Sequence, residues 1–188
     1  MIRFTCEKSM LMAGLNITSR TVAQKCALSS LEGIFCYAGY GLRLTGYNME
    51  TAITYEIEAE VTEAGSCILP ARLFGDIIRR VPEGPVTVIV DENYKVSVRA
   101  GRASFTISAE NSEDYPELPD VGEGRPIRIP QSAMKVLIGS TIFAVSENQG
   151  RPIHTGVKFE VADDTVSAIA VDGFRLARRT YHCEEATG

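Results

Sequence analysis

Phe4-Thr-Cys-Glu-Lys-Ser-Met-Leu-Met-Ala-Gly-Leu15 returns later in the chain as Ile127-Arg-Ile-Pro-Gln-Ser-Ala-Met-Lys-Val-Leu-Ile138. Ser9 maps to Ser132 at an offset of 123, and Leu11, Leu15, Thr18 and Val22 map at the same offset to Met134, Ile138, Thr141 and Val145. Further on, Leu42-Arg-Leu-Thr-Gly-Tyr-Asn-Met-Glu50 aligns with Val166-Ser-Ala-Ile-Ala-Val-Asp-Gly-Phe174 at an offset of 124. Solenoid repeats have periods of about 20–50 residues, so this period implies two tandem copies of one domain. By equal repeats the second copy would run to about residue 246, whereas the sequence stops at Gly188. The expected division is 1–122 for the first domain and 123–188 for the first part of a truncated second one.

Working outward from the repeat, three segments carry apolar residues at helical spacing. Residues 8–23 place Leu11, Leu15, Thr18 and Val22 on one face. A second helix opens at Pro70, a residue favoured in the first turn, and presents Leu73, Phe74, Ile77, Ile78 and Val81. A third begins after Pro130 with Met134, Leu137, Ile138, Ile142 and Val145. Strand-like runs lie between them. Residues 33–38 and 42–45 flank Gly39-Tyr-Gly41 as a hairpin. Residues 51–61 alternate Ile53, Tyr55, Ile57, Ala59 and Val61 with Glu56, Glu58 and Glu60, which reads as one strand with a buried and a solvated face. Residues 86–90 and 94–100 form a second hairpin, with 103–108 after a turn. In the second copy, 156–161, 166–171 and 175–181 repeat the style. Residues 120–126 have linker chemistry. Each copy is therefore expected to be α+β, with antiparallel hairpins and helices covering one sheet face.

Composition sets the outer limits. The chain has 188 residues, 45% of them hydrophobic and 23% charged, within the ordinary globular range. Cys6, Cys26, Cys36, Cys67 and Cys183 are odd in number and form no close pair, so they read as free thiols in a reducing compartment. No apolar run approaches the ~20 residues of a membrane span, and the N-terminus has no signal pattern. A cytoplasmic protein without membrane attachment is expected.

The formal net charge of −5 argues against a simple basic DNA-coating protein. The charge is nevertheless segregated. Residues 8–25 hold Lys8, Arg20 and Lys25 without a carboxylate. Residues 70–81 hold Arg72, Arg79 and Arg80 against Asp76, and 131–146 hold Lys135 alone. The three helical segments thus carry +6, and the remainder of the chain −11. Arg72 and Arg79 are seven apart, hence on one helix face about 10 Å apart, with Asp76 between them and expected to pair with Arg72. Taken singly, each basic face reads as solvated surface. Taken together, basic helices beside acidic strands and loops suit a protein that tracks phosphates without reading bases.

Catalysis finds little support. His154 and His182 are the two histidines, and neither has metal-ligand spacing. Gly122-Glu-Gly124 is too short and too acidic to cradle a phosphate. Asp172-Gly-Phe174 superficially resembles a kinase metal loop, but the companion motifs are absent. No cofactor and no catalytic residue are expected.

Several stretches together resemble one family, the bacterial DNA polymerase III beta subunits, or sliding clamps. They are Leu42-Arg-Leu-Thr-Gly46; Leu69-Pro-Ala-Arg-Leu-Phe-Gly-Asp-Ile-Ile-Arg79 with Pro82-Glu-Gly84; Gly101-Arg-Ala-Ser-Phe105; Asp114-Tyr-Pro-Glu-Leu-Pro119; Arg151-Pro-Ile-His-Thr-Gly156; and Ala170-Val-Asp-Gly-Phe-Arg-Leu-Ala177. The resemblance implies a DNA-clamp fold: tandem domains with antiparallel sheets outside and helices on the inner face. It implies a homodimeric ring, when full length, that encircles double-stranded DNA. The implied partners are the DNA polymerase III catalytic subunit, the clamp loader and other proteins carrying a short clamp-binding motif.

The resemblance also assigns residues. Lys25, Arg72, Asn148, Gln149, Arg151, Pro152 and Ile153 match the family's DNA-contacting positions, and the helix-face argument adds Arg20 and Arg79. His154, Val171, Gly173, Phe174, Arg175 and Leu176 match its partner-peptide pocket, with sheet core as the competing reading for Val171 and Leu176. His154 stands where the family usually has leucine and Val171 where it usually has a hydroxyl residue, which leaves the motif preference open. Residues 27–31 lack the family's usual proline. The end at Gly188 is expected to be a fragment boundary, since the rest of the pocket and of the ring would lie beyond it. A protein–protein adaptor of the same fold without DNA binding, and a hydrolase with an undetected carboxylate pair, are the rival readings.

Overall fold

The computed structural model describes residues 1–119, 122, 127–162 and 164–183. The chain divides into two compact units between residues 120 and 121. Apart from Gly122, the linker expected over 120–126 lies outside the described residues.

Unit 1 runs β1 (Ile2–Glu7), α1 (Lys8–Thr18), β2 (Gly33–Ala38), β3 (Leu42–Tyr47), β4 (Ala52–Ile57), β5 (Glu60–Glu63), β6 (Gly65–Pro70), α2 (Ala71–Arg80), β7 (Pro85–Val90), β8 (Lys95–Ala100), β9 (Ala103–Ser108) and β10 (Glu110–Asn111). Two five-stranded antiparallel sheets result, ordered β5-β1-β7-β8-β9 and β10-β6-β2-β3-β4. One core joins both sheets and both helices: Phe4 from β1, Leu11 and Leu15 from α1, Leu44 from β3, Phe74 and Ile78 from α2, and Val88 and Val98 from β7 and β8. Leu11, Leu44, Phe74, Ile78, Val88 and Val98 are fully excluded from solvent. That burial is the main favourable contribution, at roughly 25 cal/mol per Å² of apolar surface removed from water.

Helix α1 is shorter than the expected 8–23. Its apolar residues follow helical spacing, but after Thr18 the chain tightens into a 3-10 turn at Ser19–Thr21. The Thr18 and Ser19 hydroxyls donate to the carbonyls of Gly14 and Leu15, at 2.9 and 2.5 Å. Such back-bonding competes with helix continuation. Strand β3 then closes the helix end. Gly46 comes so near the Thr18 carbonyl that a Cβ there would collide with it. Thr21 Oγ1 donates to the Gly46 carbonyl at 2.9 Å and to that of Thr18 at 3.0 Å. Val22 is already extended.

The run 51–61 is two strands rather than one. β4 keeps the period-2 alternation, with Ile53 and Tyr55 half-buried and Ile57 buried. The chain then leaves the sheet at Glu58 and Ala59, and β5 joins the other sheet beside β1. Helix α2 buries Phe74, Ile77 and Ile78, with Val81 buried just beyond it, but Leu73 is half exposed. Pro70 caps the helix from the end of β6 rather than standing in its first turn. Tyr115 seals one edge of unit 1: its ring packs 5.3 Å from Phe35 and its hydroxyl donates to the Thr45 carbonyl at 3.2 Å. Burial pushes its phenol up to about 12.

Unit 2 has α3 (Gln131–Gly139) and a three-stranded antiparallel sheet of β11 (Lys158–Ala162), β12 (Thr165–Val171) and β13 (Leu176–His182), in that order. The third helix also ends early, passing into a 3-10 turn at Ile142–Ala144. The repeat is visible in atomic detail. Thr141 Oγ1 donates to the Leu137 carbonyl at 2.8 Å, the same i−4 bond that Thr18 makes in α1. Burial is not repeated. Leu137 is buried, but Ile138 and Ile142 are exposed and Met134 is half-buried. In unit 1 the corresponding Leu11 and Leu15 are enclosed by a core drawn from two sheets and a second helix, whereas the described residues of unit 2 supply one sheet and one helix.

Candidate functional site

In unit 1 a groove of about 1110 Å³ runs between the end of α1 and the outer face of α2. Asn16, Ser19, Gln24 and Lys25 line one side, and Arg72, Gly75, Asp76 and Arg79 the other, with Glu32 also on the wall. The fold sets both sides. On the first, the Ala23 amide donates to the Leu31 carbonyl at 3.0 Å and the Cys26 amide to Glu32 Oε1 at 3.3 Å. These bonds fold residues 23–32 back and hold Lys25 exposed between them. On the second, burying Phe74, Ile77 and Ile78 turns Arg72 and Arg79 outward, because i, i+3 and i+4 share a helix face.

Lys25, Arg72 and Arg79 thus line one groove from its two sides. Arg20 is exposed on the 3-10 turn and is not among the groove's lining residues. Asp76 pairs with Arg79, not with Arg72: Arg79 Nη1 lies 2.7 Å from Asp76 Oδ1. An acid N-terminal to its base is the favoured order on a helix, and Arg72–Asp76 has the reverse order. Among the charged lining residues, three cations face Glu32 and Asp76. Asn16 and Gln24 are uncharged, so a charge count passes over them, although both reach the groove.

In unit 2 the second set of expected DNA-contacting residues lies on one exposed loop. The Ser146 amide donates to the His154 carbonyl at 2.8 Å and closes its base. Asn148 Oδ1 accepts from the Gly150 amide at 2.9 Å, and the Arg151 amide donates to the Asn148 carbonyl at 3.2 Å. The Asn148 side-chain oxygen is therefore used within the loop. Gln149, Arg151, Pro152 and Ile153 are exposed, Ile153 almost completely.

The expected pocket residues divide between two segments. Val171 and Leu176 are cross-strand partners at the end of the β12–β13 hairpin. Asp172 organises the turn: Oδ1 accepts from the Phe174 and Arg175 amides at 3.0 Å each, and Oδ2 accepts from Arg175 Nε at 2.8 Å. The two amides, then the Arg175 guanidinium, hold its carboxyl below the usual range. Gly173 adopts φ +95°, which favours glycine. Arg175 lies 5.9 Å over the Phe143 ring. Phe174 is fully exposed and Leu176 two-thirds exposed, while Val171 is half-buried. His154 stands on the preceding loop, half-buried. Asp172 and Phe143 were outside the expected set. The Asp-Gly turn chemistry marks Asp172 in the sequence, while Phe143 becomes relevant through folding alone.

Among the described residues, no group of three His, Cys, Asp or Glu side chains could hold a metal ion. No described helix is long and apolar enough to cross a membrane.

Residues 2–119 match the family model for the DNA polymerase III beta subunit, N-terminal domain, and residues 128–188 the model for its central domain. The chain is 31% identical over 193 residues to the beta sliding clamp of Halalkalibacterium halodurans, covering 98% of this chain and 51% of that protein. It is 32% identical over 187 residues to the beta sliding clamp of Bacillus subtilis, covering 95% and 50%. The crystal structure of the Bacillus subtilis DNA polymerase sliding clamp superposes with a TM-score of 0.93 at 30% identity, covering 98% of this chain and 51% of that one. The chain spans about half the length of the curated relatives it matches. With both units matched in order and the fold shared, the chain belongs to the DNA polymerase III beta subunit family, the beta sliding clamps.

Proposed function

We propose that this chain is part of a DNA polymerase processivity factor, a ring-forming clamp that holds duplex DNA by topology and does no chemistry. In this reading residues 1–122 are the first clamp domain and 123–188 the first part of the second. The full-length protein is a cytoplasmic homodimer whose helices face the duplex. It tethers the polymerase III catalytic subunit, the clamp loader and other motif-bearing proteins through the His154, Val171 and Gly173–Leu176 region.

The observation that carries the reading is the α1–α2 groove, where Lys25, Arg72 and Arg79 converge from two segments. Cations on a helix-lined wall meet phosphates, which carry no sequence information directly. The cations are exposed and outnumber the wall's acids by one, so contact is weak and follows the backbone, as a sliding ring requires. Arg20 and the loop residues Asn148, Gln149, Arg151, Pro152 and Ile153 would add further contacts. The exposed Phe174 and Leu176, beside the Arg175 guanidinium, suit a short peptide with apolar anchors.

The test is a salt titration of this chain on a 30-base-pair duplex by fluorescence anisotropy. Each phosphate contact contributes about 0.9 to the log–log salt slope. Lys25→Ala with Arg72→Ala should lower the slope by about 1.8 and weaken binding whatever the DNA sequence. An unchanged slope in the double variant would refute the groove as the contact surface. For the ring itself, full-length protein loaded on a circular plasmid should be lost when the plasmid is linearised; retention on free ends would remove topology from the account.

A further inference from the structure

The groove contains a feature that a DNA-contacting wall alone does not require: two carboxylates stand among its three cations. Glu32 is tied to the backbone of its own segment, accepting from the Cys26 amide. Asp76 is different. It lies one helical turn before Arg79, its Oδ1 is 2.7 Å from the Arg79 guanidinium, and both side chains are about half exposed, at 44% and 63%. The pair faces the space a phosphate would occupy in the proposed reading. Arg72, on the same wall, has no ion pair among the described residues.

We infer that Asp76 is a positioning residue that keeps Arg79 from committing to phosphate, and so sets how loosely this wall holds the duplex. The inference rests on the proposed function and concerns the regulation of that same site. A guanidinium binds phosphate in a bidentate fork at near-full strength only when it is free. Asp76 Oδ1 takes one Nη1 donor, so a phosphate that engages that edge of the fork must exchange with a carboxylate tethered one turn away. The exchange costs little either way, since an exposed pair of this kind is weak. Arg79 therefore hands over from carboxylate to phosphate and back as the duplex moves. Loose contact is a property built into the wall by Asp76, beyond the small number of its cations.

The experiment uses this chain and the same duplex, with five proteins: wild type, Asp76→Asn, Asp76→Glu, Arg79→Ala and Asp76→Asn with Arg79→Ala. Freeing Arg79 turns a shared phosphate contact into a full one, so the expected changes are upper values. The slope of Asp76→Asn should steepen by about 0.9, and binding near 0.15 M salt should tighten roughly fivefold. Asp76→Glu keeps the charge within reach of Arg79 and should bind as wild type does. In the Arg79→Ala background the Asp76→Asn gain should vanish, apart from a small change common to any lost negative charge. Asp76→Ser serves as a second neutral variant if Asp76→Asn folds poorly by circular dichroism.

An Asp76→Asn slope equal to wild type, or an equal gain with and without Arg79, overturns the inference. The Lys25→Ala, Arg72→Ala control separates the two levels. If it lowers the slope while Asp76→Asn changes nothing, the role of Asp76 alone is wrong. If it changes nothing either, the groove is not the contact surface and the inference falls with it.

Discussion

Gly46→Ala is the substitution that connects the core to the groove most directly. Gly46 lies on β3 against the last turn of α1, where an added Cβ would collide with the Thr18 carbonyl and stand 2.8 Å from Thr21 Oγ1. The nearest obstacle is backbone, which cannot rotate away as a side-chain tip can. Relief requires the helix end and the strand to separate, and forcing a methyl group into such a contact costs about 1–3 kcal/mol. Separation also stretches the Thr21 hydroxyl bond to the Gly46 carbonyl, worth about 1 kcal/mol. The expected loss is about 2–4 kcal/mol. Urea denaturation followed by tyrosine fluorescence measures it. With a slope of about 2 kcal/mol per molar, the midpoint should fall by about 1–2 M. Thr21→Val, which removes the hydroxyl alone, should account for about 1 kcal/mol of that. The segment that follows Thr21 carries Lys25, so Gly46→Ala should also weaken DNA contact at urea concentrations where unit 1 remains folded. A midpoint within about 0.3 M of wild type would refute the reasoning, because β3 and α1 would then have slack the geometry denies.

Phe74 is fully buried among both sheets and both helices, so Phe74→Ala should cost about 3–5 kcal/mol in the same assay. Native protein treated with a thiol-reactive disulfide at pH 8 should label exposed Cys26 first and half-buried Cys183 more slowly. Cys6, Cys36 and Cys67, all buried, should react after denaturation. Burial, with Glu7 adding, pushes the Cys6 thiol from 9.0 up to about 11, and Tyr115 rises from 10.0 to about 12. Both groups are neutral when protonated, and the unfolded chain loses these protons first. Stability should therefore be intact below pH 9 and fall as pH rises through about 9–11 for Cys6 and 10–12 for Tyr115, measured as urea midpoints. A midpoint that rises across that window would contradict both shifts.

Much of this protein is written in local periodicity. Helices α1, α2 and α3 follow from i, i+3, i+4 spacing, and the β2–β3 and β7–β8 hairpins from alternation flanking turn residues. Strand β1 was missed, although Ile2, Phe4 and Cys6 alternate inward. Strand β6 was missed for a physical reason: Cys67, Ile68 and Leu69 are buried in succession, and a run without alternation carries no period to read. The charge segregation and the tandem repeat are also properties of the sequence alone, because counting and self-alignment need no coordinates.

Other features depend on contacts between residues far apart in sequence. The early end of α1 depends on Gly46 meeting Thr18, and the break between β4 and β5 on which sheet each strand can reach. The choice of Asp76 for Arg79 depends on side-chain direction along α2. The place of Asn16 and Gln24 in the groove depends on how α1 lies against α2. Periodicity tells a residue which way to face relative to its own helix or strand; only packing decides what it faces. For this chain the sequence alone determined the tandem repeat and the segregation of charge, +6 on three helical segments against −11 on the remainder. The tertiary structure decided that Lys25, Arg72 and Arg79 line one groove while Arg20 does not: the Thr21–Gly46 contact ends α1, and the Ala23–Leu31 and Cys26–Glu32 bonds fold the following segment back.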